Sequence, residues 1–425
     1  MQNWKQKFFI IWTGQAISIL TSQVLQMAIV WYVTLKTGSA ALLSLATLIG
    51  FLPQALLGIF IGVYIDRFKR KTVMIIADLG IALAGLSLVI YGLWAEIPLW
   101  LIYVVLFIRS IGNAFHVPAL QAAIPLIVPR DELTRYAGYA HGFKSFSFLI
   151  SPALAAILYN IWPLNNIVLL DVVGAILAVA FLWLVKIPND QPGVAMANAN
   201  RVESERELSS MDTAQGEWER TKREAKEGFA ALKRQEGLPQ LLIISMLYAF
   251  IYFPVGTLFP LITMTWFGGG VRESGMVEVM FSLGMLVGSF LLGIWGKKIH
   301  HERAILISMG LYGIFVLTSG LLPASGLYVF TALSFLIGVI NPFYHGVLTS
   351  LYQLRVEEAY LGRVLSLVNS VSLIAMPIGL ILAGSFAEVL GVNHYFKISG
   401  IATLLLFFAA LFILPPHLGE EASSR

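Results

Sequence analysis

The chain contains no cysteine, and only 12% of its residues are charged. The first absence excludes a disulfide framework, a thiolate nucleophile and any Cys-based metal site. The second excludes an ordinary water-facing surface, because a soluble domain carries about 25% charged residues. Also missing is a phosphate-cradling loop: Gly296-Lys297-Lys298-Ile299 lacks the glycine–lysine spacing of a nucleotide site. The chain itself is therefore not expected to hydrolyse ATP. Its seven histidines are scattered and form no metal-ligand or nucleophile constellation. These absences point to a protein that is not an enzyme, with no catalytic residues, cofactor or metal, and with no nucleic-acid partner.

What is present is apolar sequence, 58% of all residues, which suits the bilayer as solvent. A membrane-crossing helix needs about 20 mostly apolar residues. Twelve stretches qualify, near 8–34, 41–65, 73–94, 98–119, 139–160, 166–187, 239–264, 276–296, 304–322, 326–350, 364–388 and 395–415. Turn residues or charges close them, such as Gly38-Ser39, Glu96 to Pro98, and Pro163. The N-terminus lacks a small-residue cleavage site, and its apolar run is too long for a signal peptide, so the first helix is expected to stay. Lysine and arginine set the orientation. With a cytoplasmic N-terminus, the short inside segments hold fourteen, among them Arg67, Lys69, Arg70, Lys71, Arg130, Lys297 and Arg355. The outside loops hold three, Lys36, Arg272 and Lys397. That asymmetry is the positive-inside pattern. It predicts a multi-pass protein of the plasma (inner) membrane with both termini in the cytoplasm.

Residues 188–237 interrupt the apolar pattern with a polar segment that reads as a cytoplasmic linker, flexible over 190–212. Trp218, Ala225, Phe229 and Leu232 then recur at near-heptad spacing between basic residues. Two readings stand for this stretch, an amphipathic helix on the membrane surface and a solvated connector. The linker divides the chain into a bundle of six helices over 1–187 and another over 238–425. The bundles echo each other. Arg130 and Pro152 recur as Arg355 and Pro377, each 225 residues later, and Phe115-His116 recurs as Tyr344-His345 after 229. Internal duplication points to a transporter. The expected fold is all-α, twelve transmembrane helices in two pseudo-symmetric six-helix bundles.

The loop after the second helix reads Gly62-Val-Tyr-Ile-Asp66-Arg67-Phe-Lys69-Arg70-Lys71. It resembles the signature loop of the major facilitator superfamily, with Lys69 standing where that family usually has glycine. The resemblance covers nearly the whole chain. Within it, Gly14-Gln-Ala, Leu25-Gln-Met-Ala28, Gly50-Phe-Leu-Pro53, Phe107-Ile-Arg109-Ser-Ile-Gly112 and Phe115-His116-x-Pro-Ala119 look like macrolide-efflux proteins of the drug:proton antiporter group. The glycine–proline signature of the fifth helix is only partly present, as Ser151-Pro152-Ala153. The resemblance implies alternating access, with Gly62 allowing close helix packing and Asp66, Arg67 and Arg70 forming a conformational latch. A carboxylate at a helix N-terminus meets a partial positive charge, which gives the latch a physical basis. Lys69 and Lys71 read as plain topology signals.

Charges inside apolar spans are functional candidates by default. Asp78, Arg109 and Asp171 are the proton-coupling candidates; the structural alternative is an ion pair in which Arg109 is the obvious partner. Burial raises a carboxyl pKa and makes a protonated form tolerable inside. Glu278 and Glu388 lie near helix ends and are expected to be solvated. Ser22 and Gln26 each fall within about 20° of Gln15 on a 3.6-residue helix. The resemblance implies that helices 1, 4, 7 and 10 line a central cavity. Its candidate substrate-binding residues are then Gln15, Ser22, Gln26, Asn113, His116, Tyr248, Tyr252, Asn341, Tyr344 and His345. Amides and aromatics in an apolar cavity suit bulky amphiphiles. Gly58/Gly62 and Gly284/Gly288 read as close-packing sites. Pro53, Pro152, Pro254, Pro260, Pro342 and Pro377 interrupt spans, doubly so in helix 7. The expected activity is proton-driven efflux of macrolide-type drugs by a monomer whose partners are a small-molecule substrate, protons and the lipid bilayer. The alternatives are export of a siderophore or lysophospholipid, and a membrane partner of an ATPase.

Overall fold

A computed structural model describes residues 4–129, 132–187, 226–296 and 299–415. Among them are twelve long apolar helices: α1 Trp4–Thr37, α2 Ala40–Arg67, α3 Arg70–Gly92, α4 Leu99–Ala123, α5 Leu133–Ile161, α6 Leu164–Leu184, α7 Leu238–Thr257, α8 Val271–Trp295, α9 His301–Leu321, α10 Leu327–Arg355, α11 Glu358–Leu390 and α12 Val392–Ile413. Each meets the length and hydropathy needed to cross a bilayer. The outward faces stay apolar, with Phe290 70% and Phe412 88% exposed, as lipid-facing surface requires. Trp94, Trp183, Trp295 and Tyr328 are exposed near helix ends, where an amphipathic ring suits the headgroup level.

The helices pack as two compact units. One comprises the chain up to Val33 and from Ala46 through α6; the other comprises Thr34–Leu45 and the helices from α7 onward. In the first unit α3 packs on both α4 and α6. In the second, α8 packs on α10, α9 on α12, and α7 on α11. Without a hydrophobic drive between helices in lipid, close backbone approach has to supply the attraction. Gly284 and Gly288 show how close. A Cβ at either would sit 2.1 Å from a carbonyl oxygen of α10, of Phe335 and Val339 respectively. Gly338 returns the contact, its Cβ position lying 2.1 Å from Phe281 O. In the first unit Gly112 admits Ile81 of α3, and Gly174 admits Thr21 of α1, whose Oγ1 is 2.4 Å from the Cβ position. The side chains of Gly58 and Gly62 lie outside the described residues.

Proline shapes α7 as its sequence implies. Pro254 lies inside the helix, Leu258 breaks it, and a short turn Phe259–Leu261 containing Pro260 leads into a π-helical turn, Ile262–Trp266. Hydroxyls take up carbonyls in this stretch, Thr263 Oγ1 donating to Phe259 O at 2.8 Å and Thr265 Oγ1 to Leu261 O at 2.7 Å. Side-chain hydroxyls thus bond carbonyls where the helix is irregular, as backbone at membrane depth requires.

Of the linker, residues 188–225 lie outside the described residues, including Trp218 and Ala225. Residues 226–233 are helical. Ala231 and Leu232 are buried while Phe229 is 42% exposed beneath the Lys233 ammonium. Glu227 pairs with Arg363 of α11 at 3.2 Å, and Arg234 lies over the Tyr360 ring. Glu388, expected to be solvated, is exposed but engaged: its Oε2 accepts from Ser39 Oγ at 2.8 Å and Ala41 N at 3.2 Å, at the N-terminus of α2.

The α8–α10 contact gives the first test. Gly288→Ala is expected to lower the apparent unfolding temperature in detergent, by an overpacking cost of about 1–3 kcal/mol. Gly293→Ala lies on the same helix with no heavy atom within 4 Å of its Cβ, and is expected to leave it unchanged.

Candidate functional site

Five of the polar residues singled out on α1, α3 and α4 meet partners inside the first unit, and with Asp171 of α6 they form two groups. Both groups depend on the glycine contacts above. Gly174 brings α1 against α6, and there Asp171 gathers its donors. Ser22 Oγ donates to Asp171 Oδ1 at 2.7 Å, Thr21 Oγ1 donates at 3.3 Å, and the Arg109 guanidinium pairs with Oδ2. Arg109 and Asp171 are 6% and 2% exposed, so neither has water as an alternative partner. Arg109 carries a charge that it cannot lose. Of the two carboxylates that could have balanced it, the fold selects Asp171.

Gly112 brings α4 against α3, and one turn further along α4 His116 reaches Asp78. Its Nδ1 lies 2.8 Å from Asp78 Oδ1, an ion-pair distance without hydrogen-bond alignment. Its Nε2 lies 2.8 Å from Gln15 Oε1. All three side chains are buried, and Gln15 Nε2 and Asp78 Oδ2 have no hydrogen-bond partner among the described residues. The chemistry of the two groups differs. Asp171 is surrounded by donors, one of them a permanent cation. Asp78 has no permanent cation beside it among the described residues; its one short contact is with the His116 ring.

In the second unit the candidates form an aromatic group. Tyr248 stacks on Tyr252 with ring centres 5.7 Å apart and lies 4.1 Å from Tyr344. His345 meets Tyr252 at 5.4 Å and Tyr344 at 5.1 Å. Asn341 Nδ2 donates to Tyr252 OH. Tyr312 of α9 completes the group, 5.5 Å from Tyr248, with its hydroxyl and that of Tyr344 unpartnered among the described residues. Sequence reasoning missed Tyr312 and Thr21. Tyr312 sits on a helix outside the expected cavity set, and Thr21 is one position off the polar face of α1. Gln26 and Asn113 are half-buried and join neither group among the described residues.

Of the signature loop, the side chains of Gly62, Asp66 and Arg67 lie outside the described residues. Arg70 opens α3 and is buried. Lys71 Nζ donates to the carbonyls of Trp183 and Val185, at 3.2 and 2.7 Å, closing the C-terminal end of α6. Lys69, where the family usually has glycine, has φ −66° and ψ 120°. That is extended backbone open to any residue, so the substitution costs the turn nothing.

Twelve apolar helices with ion pairs sequestered inside a bundle define a multi-pass membrane protein, with polar groups placed as transporters place them. The model of the Major Facilitator Superfamily matches residues 11–268 and again 241–425. The chain belongs to that family of membrane transporters. It is 46% identical over 420 residues to Macrolide efflux protein A of Streptococcus pyogenes, covering 98% of this chain and 97% of that one. It is 44% identical over 345 residues to Macrolide efflux protein A of Enterococcus faecalis, covering 81% and 100%. Its fold is like that of a bacterial homologue of the iron transporter ferroportin, with TM-score 0.67 at 14% identity over both full chains.

The buried pair yields a stability prediction. Arg109→Leu strands the Asp171 carboxylate and is expected to cost about 3–5 kcal/mol, read as a large fall in the apparent unfolding temperature. Arg109→Leu combined with Asp171→Leu is expected to recover most of that loss. Equal losses in the single and double variants would show that the pairing is not what the site depends on.

Proposed function

We propose that this chain exports macrolide-type amphiphiles by proton antiport, with Asp78 and His116 exchanging the proton. The observation that carries the substrate class is the near full-length likeness to Macrolide efflux protein A. The coupling assignment rests on the chemistry of the two buried groups. Asp171 accepts from Ser22 and pairs with the permanent Arg109 cation, and the pair serves as a fixed internal ion pair that orients α1, α4 and α6. Asp78–His116 is the pair that can change charge by one proton. A protonated state is compatible with burial and a deprotonated one is reached when water enters, which is what a carrier of protons against cargo needs.

The aromatic group of the second unit supports the cargo assignment. Tyrosine faces offer apolar area with hydroxyls at hand, and those of Tyr312 and Tyr344 have no partner among the described residues. Such surfaces suit large compounds that are mostly apolar with a few polar groups. Asp66, Arg67 and Arg70 take the latch role that the signature loop implies. The lysine and arginine asymmetry favours cytoplasmic termini in the plasma membrane. Since the chain has no cysteine, that orientation is directly readable. A cysteine introduced at Glu96 is expected to react with an impermeant maleimide in intact cells, and one introduced at Gln191 only after permeabilisation.

Efflux is tested in cells loaded with a radiolabelled macrolide. Expression is expected to lower accumulation severalfold, an uncoupler to abolish that difference, and Asp78→Asn to do the same with the protein still present in the membrane. Accumulation that responds to ATP depletion and ignores the uncoupler would sink the antiport reading in favour of an ATPase-linked role.

A further inference from the structure

The short helix before α7, residues 226–233, has two unlike sides. Gly228, Ala231 and Leu232 are buried on one of them. A Cβ at Gly228 would lie 3.1 Å from the Arg363 carbonyl oxygen of α11, so the helix backbone rests directly on α11. Glu227 pairs with Arg363 there. On the other side Lys226, Phe229, Ala230 and Lys233 are exposed, at the i, i+3, i+4 and i+7 positions of one helix face. The two lysines are two turns apart, about 10 Å along the axis. Phe229 comes between them, with the Lys233 ammonium 5.0 Å from its ring centre. Arg234 follows and lies over the Tyr360 ring, which Arg363 also covers. Of these cations only Arg363 has a carboxylate. Lys226, Lys233 and Arg234 have no acid at ion-pair distance among the described residues, and the exposed Glu236 offsets one charge of the three.

Position decides what such a face meets. The apolar span of α7 starts at Leu238, five residues after Lys233, and the span of α11 starts at Tyr360, the ring under Arg234. The helix is thus held where two spans leave the hydrocarbon, at the level of the headgroups. A free amphipathic helix stays at that level by burying its apolar side in lipid. Here that side is already spent on α11. What faces outward is positive charge with one aromatic ring, the complement of an anionic headgroup with an amphipathic ring's preference for the boundary between wet and apolar. We propose that the 226–233 helix is a docking site for an anionic phospholipid. Lys226 and Lys233 close on the headgroup phosphate from either side of Phe229, whose ring lies against the glycerol and the upper acyl chain. Arg234 adds a further positive charge at the edge of the site. This goes beyond the efflux reading and does not depend on it.

The chain has no native cysteine, so Ala230→Cys in the full-length protein carries a single polarity-sensitive dye on the exposed face. The labelled protein, in neutral detergent, is titrated with short-chain phosphatidylglycerol. Its emission is expected to move to the blue and saturate, and to return when salt is raised to about 1 M, where the Debye length is about 3 Å. Short-chain phosphatidylcholine and glycerol phosphate are expected to leave it unmoved. Lys226→Gln with Lys233→Gln is expected to weaken the response roughly 30-fold, about fivefold per charge, whereas Lys226→Arg with Lys233→Arg keeps it. The unlabelled protein gives a second readout, the number of phosphatidylglycerol molecules it retains in a native mass spectrum, which is expected to fall in the glutamine variant. An equal response to phosphatidylcholine would make the face a merely apolar surface, and an equal response to glycerol phosphate a site for free phosphate. Either overturns the proposal, as does a glutamine variant that matches wild type in both readouts. None of these readouts uses macrolide transport, so their failure leaves the efflux reading standing.

Discussion

Charge cannot be left alone in hydrocarbon, and that constraint organises the first unit. With polar water excluded, each ionised side chain must find its counterpart on a neighbouring helix, and each such meeting needs the helices close. Glycine provides the closeness. Gly112 lets α4 reach α3, so His116 finds Asp78; Gly174 lets α6 reach α1, so Asp171 finds Ser22 and Thr21. Enlarging either glycine would separate the polar groups as well as the helices. Packing and electrostatics are one problem here, solved at the same few positions.

The two units apply this constraint differently. His116 and His345 occupy echoing places in the sequence, each following an aromatic residue on the fourth helix of its bundle. His116 sits between a carboxylate and an amide. His345 sits among tyrosine rings with no acid beside it among the described residues. Duplication supplies the same scaffold twice, and local substitutions give one copy a titratable pair and the other an aromatic wall. The function proposed above assigns charge exchange to the first unit and apolar contact with cargo to the second.

Much of the fold was legible because its signals are long. Each span is a run of some twenty apolar residues, and the twelve expected stretches agree with the twelve helices to within several residues at each end. Proline positions foretold the broken end of α7 for a local reason, the missing N–H. The site was legible only by type. Asp78, Arg109 and Asp171 announce themselves as charges in apolar helices, but pairing depends on helix rotation and crossing, which one-dimensional spacing does not encode. Arg109 could have met either acid. His116 read as a cavity residue, yet its ring is committed to Asp78 and Gln15. Tyr312 and Thr21 carried no signal of their own, since a tyrosine and a threonine in a span are ordinary. Lys69 stands where the family usually has glycine, and only its extended backbone shows that no glycine is required there.

The central claim is that a proton gradient alone drives this chain, through Asp78–His116. It is tested most directly with the purified protein reconstituted into liposomes, by imposing a pH gradient with an acidic interior and following radiolabelled macrolide. The account predicts uptake into the vesicles that collapses with a protonophore, needs no ATP and disappears in His116→Ala while the Arg109–Asp171 pair is intact. Gradient-driven uptake that survives in His116→Ala, or no uptake by wild type without a second protein, would contradict it.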